Sequence, residues 1–287
     1  MDKVMIRCPA KINLSLDVVG KREDGYHLLR MINQSVSLYD YITVEKTDSK
    51  IVLTANKNDI PLDESNTCYK AAKLIINRFN LKGGVRIHIE KNIPHGAGLG
   101  GGSSDAAGVI KAMNQIFELK MSLDNMMDIG VKIGADLPYC IVNRTSLAEG
   151  IGERITPLEP IENFNIVIAK PNVAVSTKEV YMNLKLDEVS KRPDIDRLIE
   201  YIKRRDYKSL ASNMVNVLET VTIREYPVIG EVKNIMHEFD ALGSIMTGSG
   251  SAVFGIFENE ERAEVCYNRL RDYLKEVYLV KTVNEGV

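Results

Sequence analysis

Between Ile93 and Met113 the chain reads IPHGAGLGGGSSDAAGVIKAM. Five glycines fall between Gly96 and Gly102, where each would cost a regular element roughly 1 kcal/mol relative to alanine. Immediately upstream, VRIHIEK (Val85–Lys91) alternates Val85, Ile87 and Ile89 against Arg86, His88 and Glu90, which predicts a half-buried strand. Downstream, Ala106, Val109, Ile110, Met113, Ile116 and Phe117 recur at helical spacing, so a helix starting at Ser103–Ser104 is expected. Strand, glycine loop and helix N-terminus together make an anion site. Helix N-termini expose unpaired N–H groups and partial positive charge, and glycine lets the backbone close on phosphate oxygens. A Walker A loop is excluded, because Gly96 and Gly101 are followed by Gly102 rather than lysine. Gly96, Gly98 and Gly101 match GxGxxG formally, but the loop lies far from the N-terminus and no Rossmann unit surrounds it.

Outward from the loop, the first sixty residues read as strands: KINLSLDVVG alternates Ile12, Leu14, Leu16 and Val18 with polar residues, and INQSVSLYDYITVEK and KIVLTAN continue. A helix is expected over 66–79 and another over 123–133, with Ser122 as N-cap and Gly134 as the C-terminal stop. SLAEGIGERITPLEP reads as strand, turn, strand. Pro157, Pro160 and Pro171 break the texture, which places a domain boundary near residue 160. Beyond it are expected a strand at 165–169, helices near 177–184, 194–204, 207–217 and 228–240, a glycine-rich hairpin, a helix near 259–275 and a last strand. Mixed elements without strict βαβ alternation predict an α+β fold, and the absence of a 20–50-residue period excludes a solenoid.

The 287 residues suffice for one large or two modest domains. A net charge of −2 with no basic stripe argues against nucleic acid as a partner. Cys8, Cys68, Cys140 and Cys266 stand singly, with no CxxC pair for zinc or redox work. Charges at Asp2, Lys3, Arg7 and Lys11 interrupt the N-terminal apolar residues, and no run approaches the ~20 residues of a membrane span. A soluble, cytoplasmic protein with reduced thiols and no membrane partner is expected.

Three stretches carry a family resemblance. PHGAGLGGGSSDAA (Pro94–Ala107) resembles the central motif of the galactokinase, homoserine kinase, mevalonate kinase and phosphomevalonate kinase (GHMP) superfamily. PAKINLSLDVVGKREDGYHLL (Pro9–Leu29) resembles its opening motif, and MTGSGSAVFGIF (Met246–Phe257) its C-terminal glycine motif. The opening stretch and GADLPYCI (Gly134–Ile141) resemble the 4-diphosphocytidyl-2-C-methyl-D-erythritol kinase family in particular. Cys8 stands where that family usually has alanine, and Leu137, Tyr139 and Cys140 replace its valine and two phenylalanines.

The resemblance implies a two-domain small-molecule kinase. An ATP-binding domain over 1–159 would be ribosomal protein S5 domain 2-like, a substrate-binding domain over 160–287 ferredoxin-like, and the site would lie in the cleft between them. It implies ATP and Mg2+ as cofactors, small molecules as partners, and phosphorylation of the 2-hydroxyl of 4-diphosphocytidyl-2-C-methyl-D-erythritol in the non-mevalonate route to isoprenoid precursors. Lys11 and Asp136 are implied as catalytic. Pro94, His95, Gly96, Ala97, Gly98, Leu99, Gly100, Gly101, Gly102, Ser103 and Ser104 are implied as the ATP cradle, with Ser103 or Ser104 the hydroxyl within reach of Mg2+. Asn13, Tyr26, His27, Thr177, Tyr181, Gly248 and Ser249 are implied as substrate contacts. From the residues alone, Asn13 shares Lys11's face of a strand, and Thr177 and Tyr181 share a helix face. Homoserine or mevalonate kinase activity is the alternative within the superfamily, and DGYH (Asp24–His27) separates them, since only a cytidine-bearing acceptor needs it. A catalytically dead nucleotide binder is the alternative from another class. The joint presence of Lys11, Asp136 and an uninterrupted loop argues against it.

Overall fold

The computed structural model describes residues 2–285. Two long strands, β1 (Lys3–Lys21) and β2 (His27–Thr47), form an antiparallel ribbon. The other edge of β2 is shared in turn by later strands. A β-α-β unit follows: β3 (Ile51–Ala55), α1 (Thr67–Phe79) and β4 (Gly84–Glu90), with β3 parallel to β4. Asn66 caps α1 by accepting from the Cys68 N–H. The glycine stretch then leads into α2 (Gly101–Ile116), α3 (Leu123–Val131) and the short α4 (Leu137–Val142). The hairpin of β5 (Ser146–Gly150) and β6 (Arg154–Pro157) returns to β2, so β5, β10 and β4 pair in sequence along that edge. Apolar faces of α1, α2, α3 and α4 bury against β1, β2 and β4 in one core.

After the irregular residues 158–164 come β7 (Asn165–Lys170), α5 (Thr177–Asn183), α6 (Ile195–Arg204), α7 (Tyr207–Ser212), α8 (Glu219–Glu225), α9 (Val228–Glu238), β8 (Gly243–Met246), β9 (Val253–Phe257), α10 (Glu260–Arg271) and β10 (Glu276–Val283). The strand order β10-β7-β9-β8 with α9 and α10 is a split β-α-β arrangement of the ferredoxin-like kind. The end of β10 crosses to pair with Ser35 and Val36 of β2. A second core joins Ile12 and Leu14 of β1 to Ile166, Ile168, Ile245 and Phe254. The halves therefore share a sheet and a core. Among the described residues no helix is long and apolar enough to cross a membrane.

Cys8–Val18 of β1 is buried on both faces: Lys11 bonds Asn13, Asn13 bonds Asn33 of β2, and Ser15 and Asp17 meet Val215 and Arg192 from the second half of the chain. Three expectations are corrected. The phosphate helix starts at Gly101, two residues early, with Gly100 as a left-handed N-cap (φ 68°). Gly134 does not end α3 in the left-handed region: α3 stops at Val131, and Gly134 leaves room for Leu137, whose Cδ1 would be 3.2 Å from a Cβ there. The helix expected over 207–217 ends at Ser212, where Asn213 Nδ2 donates to the Ser209 carbonyl. The chain then turns to bond Leu16 through Val215 and Val217 before α8.

Candidate active site

Gly96, Gly98 and Gly100 all have positive φ (64°, 76° and 68°), and the residues between them, Ala97 and Leu99, bury their side chains in the shared core. Alternation of this kind turns successive N–H groups toward one side, the geometry of an anion nest. Only glycine fits at Gly98, where a Cβ would collide with the carbonyl oxygen of Thr247. The Lys11 N–H donates to the Leu99 carbonyl at 2.9 Å and the Ala252 N–H to the Ala97 carbonyl at 3.1 Å. The loop is thus pinned to β1 on one side and to the C-terminal glycine motif on the other.

The loop's first helical turn rests on a buried ionic cluster that the sequence reading missed. Lys91 Nζ donates to Asp40 and, at 2.7 Å, to Asp105 Oδ2. Asp40 Oδ1 accepts from the Asn92 and Ile93 N–H groups. Burial pushes the Asp105 carboxyl up, against the pull of Lys91. Gly101 packs on this cluster: a Cβ there would sit 2.8 Å from Lys91 Nζ and 3.1 Å from Ile93 Cγ2. Gly101 is therefore an inward-facing residue, while Gly102 faces open space, with only Thr67 Oγ1 at 3.7 Å. Because Lys91 is held by Asp40 and Asp105 and cannot swing aside, Gly101→Ala should lose about 1–3 kcal/mol of stability by overpacking, whereas Gly102→Ala, in the first turn of α2 with open space beside it, should gain up to about 1 kcal/mol. Urea titration of both variants checks this.

Of the two serines, Ser104 is 3% exposed and its hydroxyl donates to the Pro9 carbonyl at 2.7 Å. The one proton it could offer a phosphate is thereby spent within the protein. Ser103 is half-buried, and none of the hydrogen bonds among the described residues engages its hydroxyl. Pro94 is buried and His95 exposed at the start of the loop.

Opposite the loop, Lys11 Nζ lies 3.9 Å from Asp136 Oδ2 and donates to Asn13 Oδ1 at 2.8 Å. Lys11 is 5% exposed, while the Asp136 side chain is 37% exposed. Asp136 is the residue before α4, and its carboxylate caps nothing, so it is free to meet a ligand. A cavity is lined by Lys11, Asp136, Gly98, Gly248, Thr177 and Tyr181. The structure brings together residues more than two hundred positions apart.

Asn13 lines the same cavity. It is fully buried, and its Nδ2 donates to Asn33 Oδ1 at 2.6 Å. Its Oδ1 accepts from Lys11 and, at 2.8 Å, from the Gly248 N–H. With these bonds Asn13, itself part of the cavity wall, holds Lys11 and the C-terminal motif in place. Thr247, unremarked within its motif, works beside it: its hydroxyl lies 3.2 Å from both Gly98 O and Asn13 Oδ1 and accepts from the Asn13 N–H. Two facing strand asparagines in one hydrogen-bonded register, Asn13 and Asn33, were the signal for this hub. Neither side chain would pair so deeply without a polar neighbour.

Thr177 Oγ1 and Ser249 Oγ lie 2.8 Å apart and bridge α5 to the C-terminal glycine turn. The rings of His27 and Tyr181 pack at 5.0 Å with a 32° tilt. Burial lowers the imidazole pKa and raises that of the Tyr181 phenol. Tyr26 is 59% exposed. Leu16, Leu29 and Met31 complete the cavity wall. They were read from the sequence only as strand residues, since an apolar side chain in a site looks like any core residue.

The GHMP kinases N terminal domain matches residues 66–144 and the GHMP kinases C terminal domain residues 198–276. A protein of Caldicellulosiruptor bescii named 4-diphosphocytidyl-2-C-methyl-D-erythritol kinase is 51% identical over 278 residues, covering 96% of this chain and 97% of its own length. One of the same name from Acetivibrio thermocellus is 49% identical, covering 99% and 100%. A solved structure titled 4-(cytidine 5'-diphospho)-2C-methyl-D-erythritol kinase superposes with a TM-score of 0.85 at 32% identity, covering 99% of this chain and 100% of that one. The homoserine kinase of Cytophaga hutchinsonii, at 20% identity and a TM-score of 0.81 with 100% and 96% covered, shares the fold. With a glycine nest facing a lysine–aspartate pair and relatives of this identity along nearly its whole length, the chain belongs to the 4-diphosphocytidyl-2-C-methyl-D-erythritol kinase family of GHMP kinases.

Proposed function

We propose that the chain transfers the γ-phosphoryl group of ATP to the 2-hydroxyl of 4-diphosphocytidyl-2-C-methyl-D-erythritol, giving the 2-phosphate and ADP on the way to isoprenoid precursors. The observation that carries this reading is the Lys11–Asp136 pair, 3.9 Å apart across one cavity from the Gly98 and Gly100 nest. Residues 1–159 supply the phosphate cradle with Lys11 and Asp136, and 160–287 supply Thr177, Tyr181, Gly248 and Ser249, with the cavity between them as the site.

Phosphoryl transfer asks a protein mainly for positioning and for stabilisation of charge. The nest and the first turn of α2 receive the ATP phosphates. Mg2+ carried on those phosphates would offset their charge, and since it keeps several waters and takes few protein ligands, the Ser103 hydroxyl is a sufficient protein contribution. An ordinary carboxylate is ~12 pH units less basic than an alkoxide, so full proton transfer before attack would cost ~16 kcal/mol. In a loose transition state the hydroxyl becomes acidic only as its bond to phosphorus forms. Asp136 therefore orients the hydroxyl and accepts its proton late. Lys11, 3.9 Å from that carboxylate, meets the negative charge of the transferring group.

On the acceptor side, His27 backed by Tyr181 and the exposed Tyr26 ring offer aromatic faces for the cytosine. Tyr26→Ala should lose about 1–3 kcal/mol of stacking, or roughly 5- to 150-fold in acceptor affinity. ATP affinity and melting temperature should stay nearly unchanged, because Tyr26 is largely exposed. Tyr26→Phe should be mild. Calorimetry with each ligand tests this, and equal weakening of both would count against stacking. The activity itself is tested by coupled ADP release with 4-diphosphocytidyl-2-C-methyl-D-erythritol, homoserine and mevalonate as acceptors. Turnover confined to the first supports the assignment, and turnover confined to another rejects it.

A further inference from the structure

We infer that Ser35, Tyr139 and Asn143 form a positioning relay that sets the distance between Lys11 and Asp136, an inference that rests on the kinase reading above. Asp136 precedes α4, whose six residues Leu137–Val142 are too few to hold a helix on their own. Its carboxylate makes no cap hydrogen bond, so nothing in α4 itself fixes where the carboxylate sits relative to Lys11. That position depends on how α4 docks on the sheet.

The docking has a polar anchor with a defined direction. Ser35 Oγ donates to Asn143 Oδ1 at 2.5 Å. Its single proton is thereby committed, so the contact at 2.9 Å between Tyr139 OH and Ser35 Oγ has the phenol as donor. Tyr139 and Asn143 are four residues apart and share a face of the helix, and Ser35 meets both. Asn143 is also the left-handed C-cap of α4 (φ 55°), and its N–H donates to the Tyr139 carbonyl at 2.7 Å. All three residues are buried, Tyr139 and Ser35 to 1% exposure and Asn143 to 4%. Burial raises the Tyr139 pKa far above the usual phenol range, so it remains a donor throughout the working pH.

What ties this anchor to catalysis is its register. Ser35 is the β2 residue paired with Lys11 on β1. The ladder fixes Lys11 to Ser35, Ser35 fixes α4, and α4 carries Asp136, which faces Lys11 again. The loop of constraints closes on the catalytic pair. The Tyr139 hydroxyl stands where the motif this segment resembles has phenylalanine, so the second link of the anchor is a feature of this chain. Reaction rates respond steeply to placement, with misplacement by about 1 Å able to cost 10²-fold.

The test is steady-state kinetics with 4-diphosphocytidyl-2-C-methyl-D-erythritol, and wild-type turnover with that acceptor first establishes the activity on which the inference depends. Ser35→Ala, which leaves both Tyr139 and Asn143 without their partner, should lower kcat about tenfold or more, with the KM for ATP within twofold of wild type. Tyr139→Phe keeps the Ser35–Asn143 bond and should lower kcat about threefold, again without moving the KM for ATP. A purely structural role predicts a lower melting temperature with unchanged kcat in the folded fraction. That result in Ser35→Ala, or equal losses in kcat and ATP binding, would overturn the relay. If Ser35→Ala does not fold, Tyr139→Phe decides alone: a threefold fall in kcat supports the relay and an unchanged kcat rejects it.

Discussion

Asp136→Asn is expected to lower kcat by about 10²- to 10⁴-fold, the range for loss of a positioned proton acceptor, while ATP affinity changes less than twofold. The asparagine keeps the size and shape of the side chain, so α4 and its anchor on β2 are undisturbed. What is lost is the carboxylate 3.9 Å from Lys11 Nζ and its capacity to take the hydroxyl proton as the new P–O bond forms. In the proposed mechanism ATP is held from the other side of the cavity, by the loop of left-handed glycines and the first turn of α2, so its affinity is spared. Single-turnover measurement of the chemical step separates this from slow product release. Turnover close to wild type in the asparagine variant would remove Asp136 from the mechanism.

Lys11→Met is expected to lower kcat by about 10²- to 10³-fold, the usual effect of removing one charged or hydrogen-bonding group aimed at transition-state charge. Methionine fills a similar volume, which matters because Lys11 is 5% exposed and packs beneath Gly100, whose added Cβ would lie 2.8 Å from Lys11 Cγ. The variant also deprives Asn13 Oδ1 of one of its donors, but the Gly248 N–H remains at 2.8 Å. If Lys11 and Asp136 act as a unit, the double variant should be scarcely slower than the worse single one, since groups that work together lose their effect together. Multiplicative losses in the double variant would show two independent roles.

Much of the site could be read along the chain because its parts are local. Gly96–Gly102 followed by a helix-forming run states a phosphate cradle in consecutive residues, and Asn66 and Ser122 cap their helices as their positions suggest. Period-two alternation placed Val85, Ile87 and Ile89 inward, and all three are buried. In β1 the same rule put Lys11 and Asn13 on one face but carried no information on what covers it: Lys11, Asn13, Ser15 and Asp17 meet Asp136, Asn33, Val215 and Arg192, which come from elsewhere in the chain.

The sequence by itself determined the α+β character and the strand, glycine loop and helix of the cradle, because each rests on residue type at short spacing, while the family, and with it Lys11 and Asp136 as candidates, came from the resemblance of longer stretches. Only the tertiary structure decided which side of each residue faces the ligand. It turned Gly101 inward onto Lys91, gave the Ser104 hydroxyl to Pro9, and spent the hydrogen bonds of Asn13 on Lys11, Asn33 and Gly248. The physical reason is that a polar group leaving water must find a partner or cost several kcal/mol. In a site assembled from β1, β2, α4 and a C-terminal turn, those partners lie up to 235 residues away in the chain, where local spacing carries no information about them.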